Sequence, residues 1–206
     1  PVDIDERKPV YYKVREEWNT GVGLIEDMSH SDRTERVAQM LFLNKTCFNG
    51  LYRVNQKGAF NVPIGSYSKP SFQSLEDLLE VQNSLQGVNI HNLSYDSCVN
   101  WADNQTLVYF DPPYRPLSKT AHFVSYSKDD FNDDDQKSLA RTFATLDELG
   151  ARVMLSNSDP KNTSPSDNFF DDLYSNYNLE RVSANRAINS NPDKRGQITE
   201  ILVMNY

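Results

Sequence analysis

The residues best suited to chemistry are Asp111-Pro112-Pro113-Tyr114, which directly follow the run Thr106-Leu107-Val108-Tyr109-Phe110. This run is β-branched, aromatic and apolar without polar alternation, which is typical of a strand buried on both faces in the middle of a parallel sheet. The prolines end the strand, because neither can donate to a ladder and Pro112 favours an extended Asp111. Ligands of open α/β sheets bind beyond the carboxyl ends of the strands, so we expect Asp111 and Tyr114 at a binding site.

Asp-Pro-Pro-Tyr after a buried strand resembles the catalytic motif of the amino-group methyltransferases that modify adenine N6 in DNA. An exocyclic amine is a poor nucleophile, because its lone pair is delocalised into the ring. Two acceptors that hold its N–H groups favour a pyramidal nitrogen whose lone pair points at the methyl donor. The resemblance implies that Asp111 and the Pro112 carbonyl are these acceptors and that Tyr114 stacks on the base. The alternative interpretation of the tetrapeptide is a surface turn.

A second stretch carries the resemblance further. Residues 47–65 read Cys-Phe-Asn-Gly-Leu-Tyr-Arg-Val-Asn-Gln-Lys-Gly-Ala-Phe-Asn-Val-Pro-Ile-Gly, with polar and apolar residues alternating before Gly58. This pattern predicts a β-hairpin that presents polar groups on one face. The Dam-like DNA adenine methyltransferases, which modify GATC, carry a very similar Asn-Gly-Leu-x-Arg-x-Asn followed by Phe-Asn-Val-Pro-x-Gly in their target-recognition lobe.

The resemblance implies DNA contacts for several residues of this hairpin. Arg53 is expected to read a guanine in the major groove, because a guanidinium fork fits the O6 and N7 acceptors. Phe48 is expected to wedge into the base stack beside the flipped adenine. Asn49, Leu51 and Pro63 match positions that touch bases or fill the gap left in the duplex. The open alternative is that the apolar residues are small-lobe core and that Asn49 begins a tight turn.

Three further segments resemble parts of the same family. Ser94 and Tyr95 match a segment that lies against the adenosine of S-adenosylmethionine, so these two residues and Asp111 are the expected donor contacts. The alternative for Tyr95 is a buried ring beside a strand. Residues 115–126 resemble the loop that closes over donor and base, and their polar composition predicts mobility. Arg195 is expected either to contact a DNA phosphate or to be a solvated loop arginine.

The remaining pattern predicts alternating helices and strands. We expect short helix, turn and loop over 1–30, then a helix that begins at Ser31-Asp32 with a capping box to Glu35. Further helices are expected over Phe72–Leu85, Asp129–Leu149 and Phe169–Tyr174, with Phe143, Leu146 and Leu149 on the buried side of the second. Further strands are expected over Val88–Leu93, Arg152–Ser156, Leu179–Ala184 and Ile198–Asn205.

This order of elements predicts an α/β protein. With the resemblance, it implies a Rossmann-like S-adenosylmethionine-dependent methyltransferase sheet, incomplete at its N-terminal side, with a small helical and β-hairpin recognition lobe. The expected domains are a linker over 1–31, the recognition lobe over 32–85 and the catalytic part over 86–206. The family's glycine-rich donor-binding segments do not occur in this sequence. A fragment, a companion chain and lost catalysis are the three explanations.

Composition limits the classes of partner. With 21 basic and 29 acidic residues the net charge is −8, which repels DNA at long range unless the basic residues cluster on one face. Cys47 and Cys98 lack metal-ligand spacing and are expected to be free thiols in a reducing cytoplasm. The three histidines lie outside any metal motif, and the acidic run 129–135 fits a helix start better than a calcium loop. No metal is therefore expected, and no apolar run approaches a membrane span.

The resemblance implies methyl transfer from S-adenosylmethionine to N6 of a flipped-out adenine in double-stranded DNA, within GATC. A restriction-modification system, a phage and a housekeeping role are all open as its biological setting. One rival hypothesis is a DNA-binding module that has lost donor binding. A second rival is an amino-group methyltransferase that acts on RNA or on protein glutamine, because an acidic or polar residue before Pro-Pro-Tyr serves amide and amine nitrogens alike.

Overall fold

A computed structural model of the chain describes residues 4–21, 27–116, 131–185 and 197–206. The chain divides into two compact units, Pro1–Ile90 and His91–Tyr206. The domain limits at residues 31 and 85 stay predictions. No helix within the described ranges is long and apolar enough to cross a membrane.

The first unit is built on two helices that pack against each other, α1 (Ile4–Thr20) and α2 (His30–Thr46). Their apolar residues form one buried cluster with the segment that follows α2. The fully or almost fully buried members of this cluster are Tyr11, Leu43, Cys47, Phe60 and Val62. The Tyr11 hydroxyl donates a hydrogen bond of 2.9 Å to the Val62 carbonyl, which ties α1 to the predicted recognition stretch.

The prediction for residues 1–30 is wrong in its described part, because Ile4–Thr20 forms one helix of 17 residues. Its apolar stripe is sparse: Tyr11, Val14 and Trp18 contact the cluster, and charged residues fill most other positions. Tertiary packing of this stripe stabilises the helix. Most of the segment interpreted as a linker is therefore helical.

The start of α2 also differs from the prediction. Ser29, and not Asp32, is the N-cap residue, and its hydroxyl oxygen accepts a hydrogen bond of 3.1 Å from the Asp32 backbone N–H. The Asp32 side chain accepts a bond of 2.7 Å from the same hydroxyl. The helix therefore begins at His30.

The predicted hairpin is present as a short antiparallel pairing. Val54 and Phe60 form an isolated bridge, and the Asn61 backbone N–H donates to the Arg53 carbonyl at 3.1 Å. Gly58 turns the chain with a φ of 79°, in the left-handed region that favours glycine. A second bridge joins Cys47 to Ile64. The antiparallel arrangement is confirmed, but the pairing is too short to form continuous strands.

The predicted helix after the hairpin is confirmed as α3 (Leu75–Ser84), with Ser74 and Asp77 forming a capping box. None of its residues is buried in the described structure. The predicted strand over 88–93 is wrong, because these residues have no regular structure. Val88, Ile90 and Leu93 are exposed, and no strand of the described residues pairs with them.

The second unit is organised by a four-stranded mixed sheet. Its strands are β1 (Leu107–Phe110), β2 (Arg152–Ser158), β3 (Asn178–Asn185) and β4 (Gln197–Met204). The order across the sheet is β1-β2-β4-β3, with β1 parallel to β2 and β4 antiparallel to both of its neighbours. The last three strands and the helices α4 (Asp133–Glu148) and α5 (Phe169–Leu173) confirm the predictions within four residues at each end.

One face of this sheet packs against α4 and α5. The buried core contains Phe110, Leu139, Phe143, Leu146, Ala151, Val153, Leu155, Phe170, Tyr174, Ile201 and Val203. Asn132 and Asp135 form a capping box at the start of α4, and Gly150 follows its end with a φ of 80°. Leu149 is exposed, so the prediction that it marks the buried side of this helix is wrong.

The prediction that β1 is buried on both faces is also wrong. Leu107 and Tyr109 are 62% and 57% exposed, whereas Phe110 is buried. Among the described strands only β2 pairs with β1, which places β1 at the edge of the sheet. Within the described residues, the face of β1 that carries Leu107 and Tyr109 is therefore exposed.

Replacing Tyr11 with Phe tests how α1 is fastened to the recognition stretch. We expect the free energy of unfolding to fall by about 1 kcal/mol at neutral pH, because the hydrogen bond to the Val62 carbonyl is lost. Burial raises the pKa of the Tyr11 phenol above its unfolded value. The stability contributed by the protonated phenol is therefore present below about pH 10 and is lost as the pH rises further.

Thermal unfolding near pH 8 and near pH 10.5 measures this effect, with Tyr12→Phe as the exposed control. The loss of stability between the two pH values should be smaller in Tyr11→Phe than in the wild type and in Tyr12→Phe. Equal pH dependence in all three proteins would contradict the prediction.

Candidate active site

The structure places Asp111 immediately beyond the carboxyl end of β1, where the sequence predicts it. Its side chain is exposed, and its Oδ1 accepts a hydrogen bond of 3.3 Å from the Ser156 hydroxyl on β2. No residue in the described part of the chain donates a hydrogen bond to Oδ2. One oxygen of this carboxylate is thus fixed by the protein and the other is available to a ligand.

Tyr114 lies at the same end of the sheet. Its hydroxyl donates a hydrogen bond of 3.3 Å to Glu200 Oε2 on β4, and its side chain is partly exposed. Burial raises the pKa of the Tyr114 phenol, and the charges of Glu200 and Asp111 act in the same direction, whereas Ser156 opposes them. The phenol is therefore neutral near pH 7, and its ring has a free surface for stacking.

Two buried amide side chains hold the backbone between these residues. Gln136 of α4 donates from Nε2 to the Pro113 carbonyl at 3.1 Å, and its Oε1 accepts from Asn157 Nδ2 at 3.2 Å. Asn157 Oδ1 accepts from the Arg115 backbone N–H at 2.9 Å. Gln136 and Asn157 are both 0% exposed, so their bonds are shielded from competing water.

The Pro112 carbonyl is different from its neighbours. In the described part of the chain it accepts no hydrogen bond, although the Pro113 carbonyl does. It lies one residue from Asp111, in a segment whose conformation is limited by the two prolines. The motif therefore offers two acceptors, the Asp111 carboxylate and the Pro112 carbonyl, on a rigid support.

Arg115 fastens the end of the motif. Its Nε donates to Asp133 at 2.7 Å, its Nη1 donates to Asp167 at 2.8 Å, and its guanidinium lies 4.3 Å from the centre of the Phe169 ring. The hydrogen bond to Asp133 is the largest cause that raises the pKa of the guanidinium, and the hydrogen bond to Asp167 acts in the same direction. The Ser158 hydroxyl donates to the Arg115 carbonyl at 2.6 Å. Arg115 is thus part of the fixed support, whereas residues 117–126 of the predicted closing loop lie outside the described residues.

The expected donor contacts lie beside the motif in the same unit. Ser94 is exposed and precedes a short 3-10 helix, Tyr95–Asn100. The half-buried ring of Tyr95 meets Phe110 edge-on at 6.4 Å and Phe131 at 6.1 Å. Tyr95 is therefore a core contact on one side, as the alternative interpretation expected, and keeps some exposed surface.

The first unit carries the expected DNA contacts. Arg53 is exposed, and its Nε donates a hydrogen bond of 2.8 Å to Asn61 Oδ1. Phe48 and Pro63 are exposed, and the Phe48 backbone N–H donates to the Pro63 carbonyl at 2.9 Å. This stretch therefore presents the Phe48 and Pro63 side chains to solvent together with the Arg53 guanidinium, which is positioned by Asn61.

Asn49 and Leu51 fit both interpretations of this stretch. Asn49 is exposed and has a φ of 54°, and Gly50 follows with a φ of 62°, which is the tight turn of the alternative interpretation. Leu51 is partly buried against the cluster of the first unit. Arg195 lies outside the described residues.

Several residues of the candidate site were missed by the sequence interpretation. Ser156, Asn157 and Ser158 are buried polar residues within β2, where the pattern predicts only the end of a strand. Gln136 is a buried amide on a helix whose first turn is strongly acidic. Three consecutive polar residues after an apolar strand were the available signal, because buried polar groups require partners.

The described residues contain no cluster of three or more His, Cys, Asp or Glu side chains that could hold a metal ion. Cys47 and Cys98 are free, which confirms the prediction of unpaired thiols.

Substitution of Gln136 by Met tests the buried amide pair at similar side-chain volume. We expect the second unit to lose about 1–3 kcal/mol of unfolding free energy, because the Pro113 carbonyl and Asn157 Nδ2 lose their shared partner. Chemical denaturation measures the change. Gln105→Met, at an exposed position of the same unit, is the control and should change stability little. Equal stability of the two variants would contradict the prediction.

Comparison with known proteins identifies the family. Residues 3–188 match the family of D12 class N6 adenine-specific DNA methyltransferases. The chain is 46% identical over 206 residues to type II methyltransferase M.MjaIII of Methanocaldococcus jannaschii, covering 100% of this chain and 67% of the relative. It is 39% identical over 186 residues to type II methyltransferase M1.LlaDCHI of Lactococcus lactis subsp. cremoris. This match covers 89% of this chain and 62% of the relative.

A third relative is the DNA adenine methylase of Escherichia coli K12, which is 35% identical over 195 residues, covering 95% of this chain and 64% of the relative. The chain thus spans about two thirds of the length of these relatives, between 62% and 67%. The match covers both the hairpin of the first unit and the Asp-Pro-Pro-Tyr segment of the second. The chain belongs to the D12 class of N6 adenine-specific DNA methyltransferases.

Proposed function

We propose that this chain carries the base-recognition and catalytic elements for methyl transfer from S-adenosylmethionine to N6 of an adenine flipped out of double-stranded DNA, with GATC as the recognised sequence. The observation that carries the proposal is the geometry of Asp111 to Tyr114. The segment is fixed by Gln136 and Asn157, while Asp111 Oδ2 and the Pro112 carbonyl keep their acceptor capacity in the described part of the chain.

In the proposed mechanism the two acceptors hold the two N–H groups of the adenine amine. Asp111 takes one hydrogen bond and the Pro112 carbonyl takes the other, so the nitrogen lone pair is directed away from both. Tyr114 supports the flipped base by stacking, and its bond to Glu200 fixes the ring. Extrusion of the base costs a few kcal/mol of stacking, which contacts in the site must offset.

The proposed position of the methyl donor is beside the same segment. When bound, S-adenosylmethionine would supply an electrophilic methyl group: as the N6–CH₃ bond forms, the S–CH₃ bond breaks and S-adenosylhomocysteine leaves with the bonding electron pair. The proton that the amine loses passes to the Asp111 carboxylate and from there to solvent. Ser94 and Tyr95 are the proposed contacts to its adenosine, because the Tyr95 ring lies against Phe110, the residue before Asp111. The proposed fold is a Rossmann-like donor-binding sheet, of which the mixed sheet of the second unit is a part.

The first unit holds 10 basic and 12 acidic residues overall, but the charge of its segment 33–75 supports a DNA partner there. Residues 33–75 contain six basic residues and one acidic residue, although the whole chain has a net charge of −8. Exposed cations in this segment reduce the repulsion that an acidic protein exerts on phosphates. Arg53, Asn49, Leu51, Phe48 and Pro63 are the proposed base and backbone contacts, and Arg195 is a proposed phosphate contact.

Replacing Asp111 with Ala tests the catalytic assignment. Methyl transfer by the complete protein, including any residues encoded beyond this chain, should fall by about 100-fold or more, because an acceptor for the amine protons is lost. The dissociation constant for duplex DNA should stay near that of the wild type. The assay follows transfer of labelled methyl groups to a GATC duplex.

Asp172→Ala is the matched control, because Asp172 is an exposed carboxylate on α5 away from the motif. It should keep wild-type activity. Full activity of Asp111→Ala would remove Asp111 from the mechanism.

Replacing Arg53 with Ala tests the recognition assignment. Discrimination of one base pair should weaken by about 1–3 kcal/mol, because the guanidinium contributes a bidentate contact to a guanine. Binding is measured with a GATC duplex and with the same duplex carrying 7-deazaguanine, which lacks the N7 acceptor. The wild type should bind the modified duplex more weakly, whereas Arg53→Ala should not distinguish the two.

Lys57→Ala is the control in the same hairpin, where Lys57 is exposed beside Gly58. Loss of this cation should weaken binding to both duplexes equally and leave discrimination intact. If Arg53→Ala still distinguished the two duplexes as the wild type does, the guanine contact would belong to another residue.

A further inference from the structure

Ser156 contacts two side chains at the carboxyl end of β1. Its hydroxyl oxygen lies 3.3 Å from Asp111 Oδ1 and 2.9 Å from the Tyr109 hydroxyl. In the parallel register Tyr109 pairs with Met154, so residues two further along each strand, Asp111 and Ser156, are also neighbours on the same face. Ser156 is buried, whereas the Tyr109 side chain is exposed within the described residues.

The direction of these two bonds follows from the hydrogens available. A serine hydroxyl has one hydrogen, and an ionised carboxylate can only accept. Ser156 therefore donates to Asp111, and the Tyr109 hydroxyl must donate to Ser156. The order is Tyr109 to Ser156 to Asp111, in which each donor polarises the next. Ser156 also lies near the Tyr114 hydroxyl, but a carboxylate is the stronger acceptor for its single hydrogen.

We propose that Ser156 and Tyr109 are positioning residues that select which oxygen of Asp111 receives the substrate amine. Ser156 engages Oδ1 and stops rotation of the carboxylate about its Cβ–Cγ bond, which leaves Oδ2 as the acceptor for the adenine N–H. Tyr109 holds the Ser156 hydroxyl in the donating orientation. The inference rests on the proposed role of Asp111 in methyl transfer.

The neighbouring serine on the same face of β2 has a separate task. The Ser158 hydroxyl donates to the Arg115 carbonyl at 2.6 Å, so Ser158 supports the backbone of the motif. Ser156 is the serine that reaches the catalytic side chain itself. Substitutions of Ser156 therefore affect the orientation of the Asp111 carboxylate and leave the support of the motif backbone by Ser158 in place.

The experiment compares Ser156→Ala, Ser156→Thr and Tyr109→Phe in the complete protein under single-turnover conditions with saturating donor and GATC duplex. We expect Ser156→Ala to lower the methylation rate by about 10- to 100-fold, since small misplacement of a catalytic group has effects of this size. Ser156→Thr keeps the hydroxyl and should recover most of the rate. The dissociation constant for DNA should change little in each.

Tyr109→Phe should lower the rate several-fold alone and cause no further loss in the Ser156→Ala background, because both act through one chain of bonds. A structural effect at this exposed position would instead add to that of Ser156→Ala. Ser183→Ala and Tyr206→Phe, at exposed positions of the same unit, are the controls. If Ser156→Ala does not fold, the exposed Tyr109→Phe variant carries the test.

The outcomes separate the two proposals. Activity of Asp111→Ala would overturn the proposed function itself. With Asp111→Ala inactive, wild-type rates in Ser156→Ala and Tyr109→Phe would overturn the positioning role alone. Equal loss in Ser156→Ala and Ser156→Thr with a wild-type rate in Tyr109→Phe would also overturn it, because the serine would then act only by packing.

Discussion

The candidate site depends on one buried hydrogen-bonded pair, Gln136 and Asn157. Each amide offers both donors and acceptors, and the two are bonded to each other at 3.2 Å. Their other bonds reach the backbone at Pro113 and Arg115. In a water-free interior an unpaired amide costs about 1–3 kcal/mol, so the motif backbone can leave this conformation only by breaking satisfied bonds. The rigidity of the Asp111–Tyr114 segment therefore depends on α4 and β2 as much as on its prolines.

Arg115 extends the same constraint to the surface. A guanidinium that is only partly exposed would be costly alone, but Asp133, Asp167 and the Phe169 face together satisfy most of its donors. Asp133 opens α4, and Asp167 lies just before α5. The ion cluster therefore joins the two helices of the second unit to the end of the motif. An exposed arginine beside the Asp111–Tyr114 segment would suggest a phosphate contact, but Arg115 is already paired with Asp133 and Asp167.

The sequence predicted well those elements whose signals are local. Apolar spacing with a following glycine indicated α3 and α4, and the acidic run 129–135 indicated the start of α4, because these signals depend on residues that are close in sequence. It failed where packing decides. Helix α1 is held by a few aromatic residues against α2, and β1 is exposed on one face although its apolar run is typical of a buried strand.

The candidate site shows the same division. The proposed roles of Asp111, Tyr114 and Arg53 come from motifs, because each role depends on the chemistry of one residue type. Those of Gln136, Asn157 and Glu200 do not, because each acquires its role only from partners far along the chain, such as Tyr114 for Glu200. A local sequence pattern does not identify partners that lie far along the chain, although buried polar residues in a strand indicate that such partners exist.

Three consecutive polar residues at the end of β2 connect stability to function. Ser156, Asn157 and Ser158 are all buried, and a strand that buries three polar side chains is unstable unless each finds a partner. Ser156 bonds to Asp111, while Asn157 and Ser158 bond to the backbone of Arg115. The motif thus provides hydrogen-bond partners for the buried polar residues of β2, and these residues in turn orient the motif. If one partner of such a hydrogen bond were replaced by an apolar residue, the other polar partner would be left buried and unpaired.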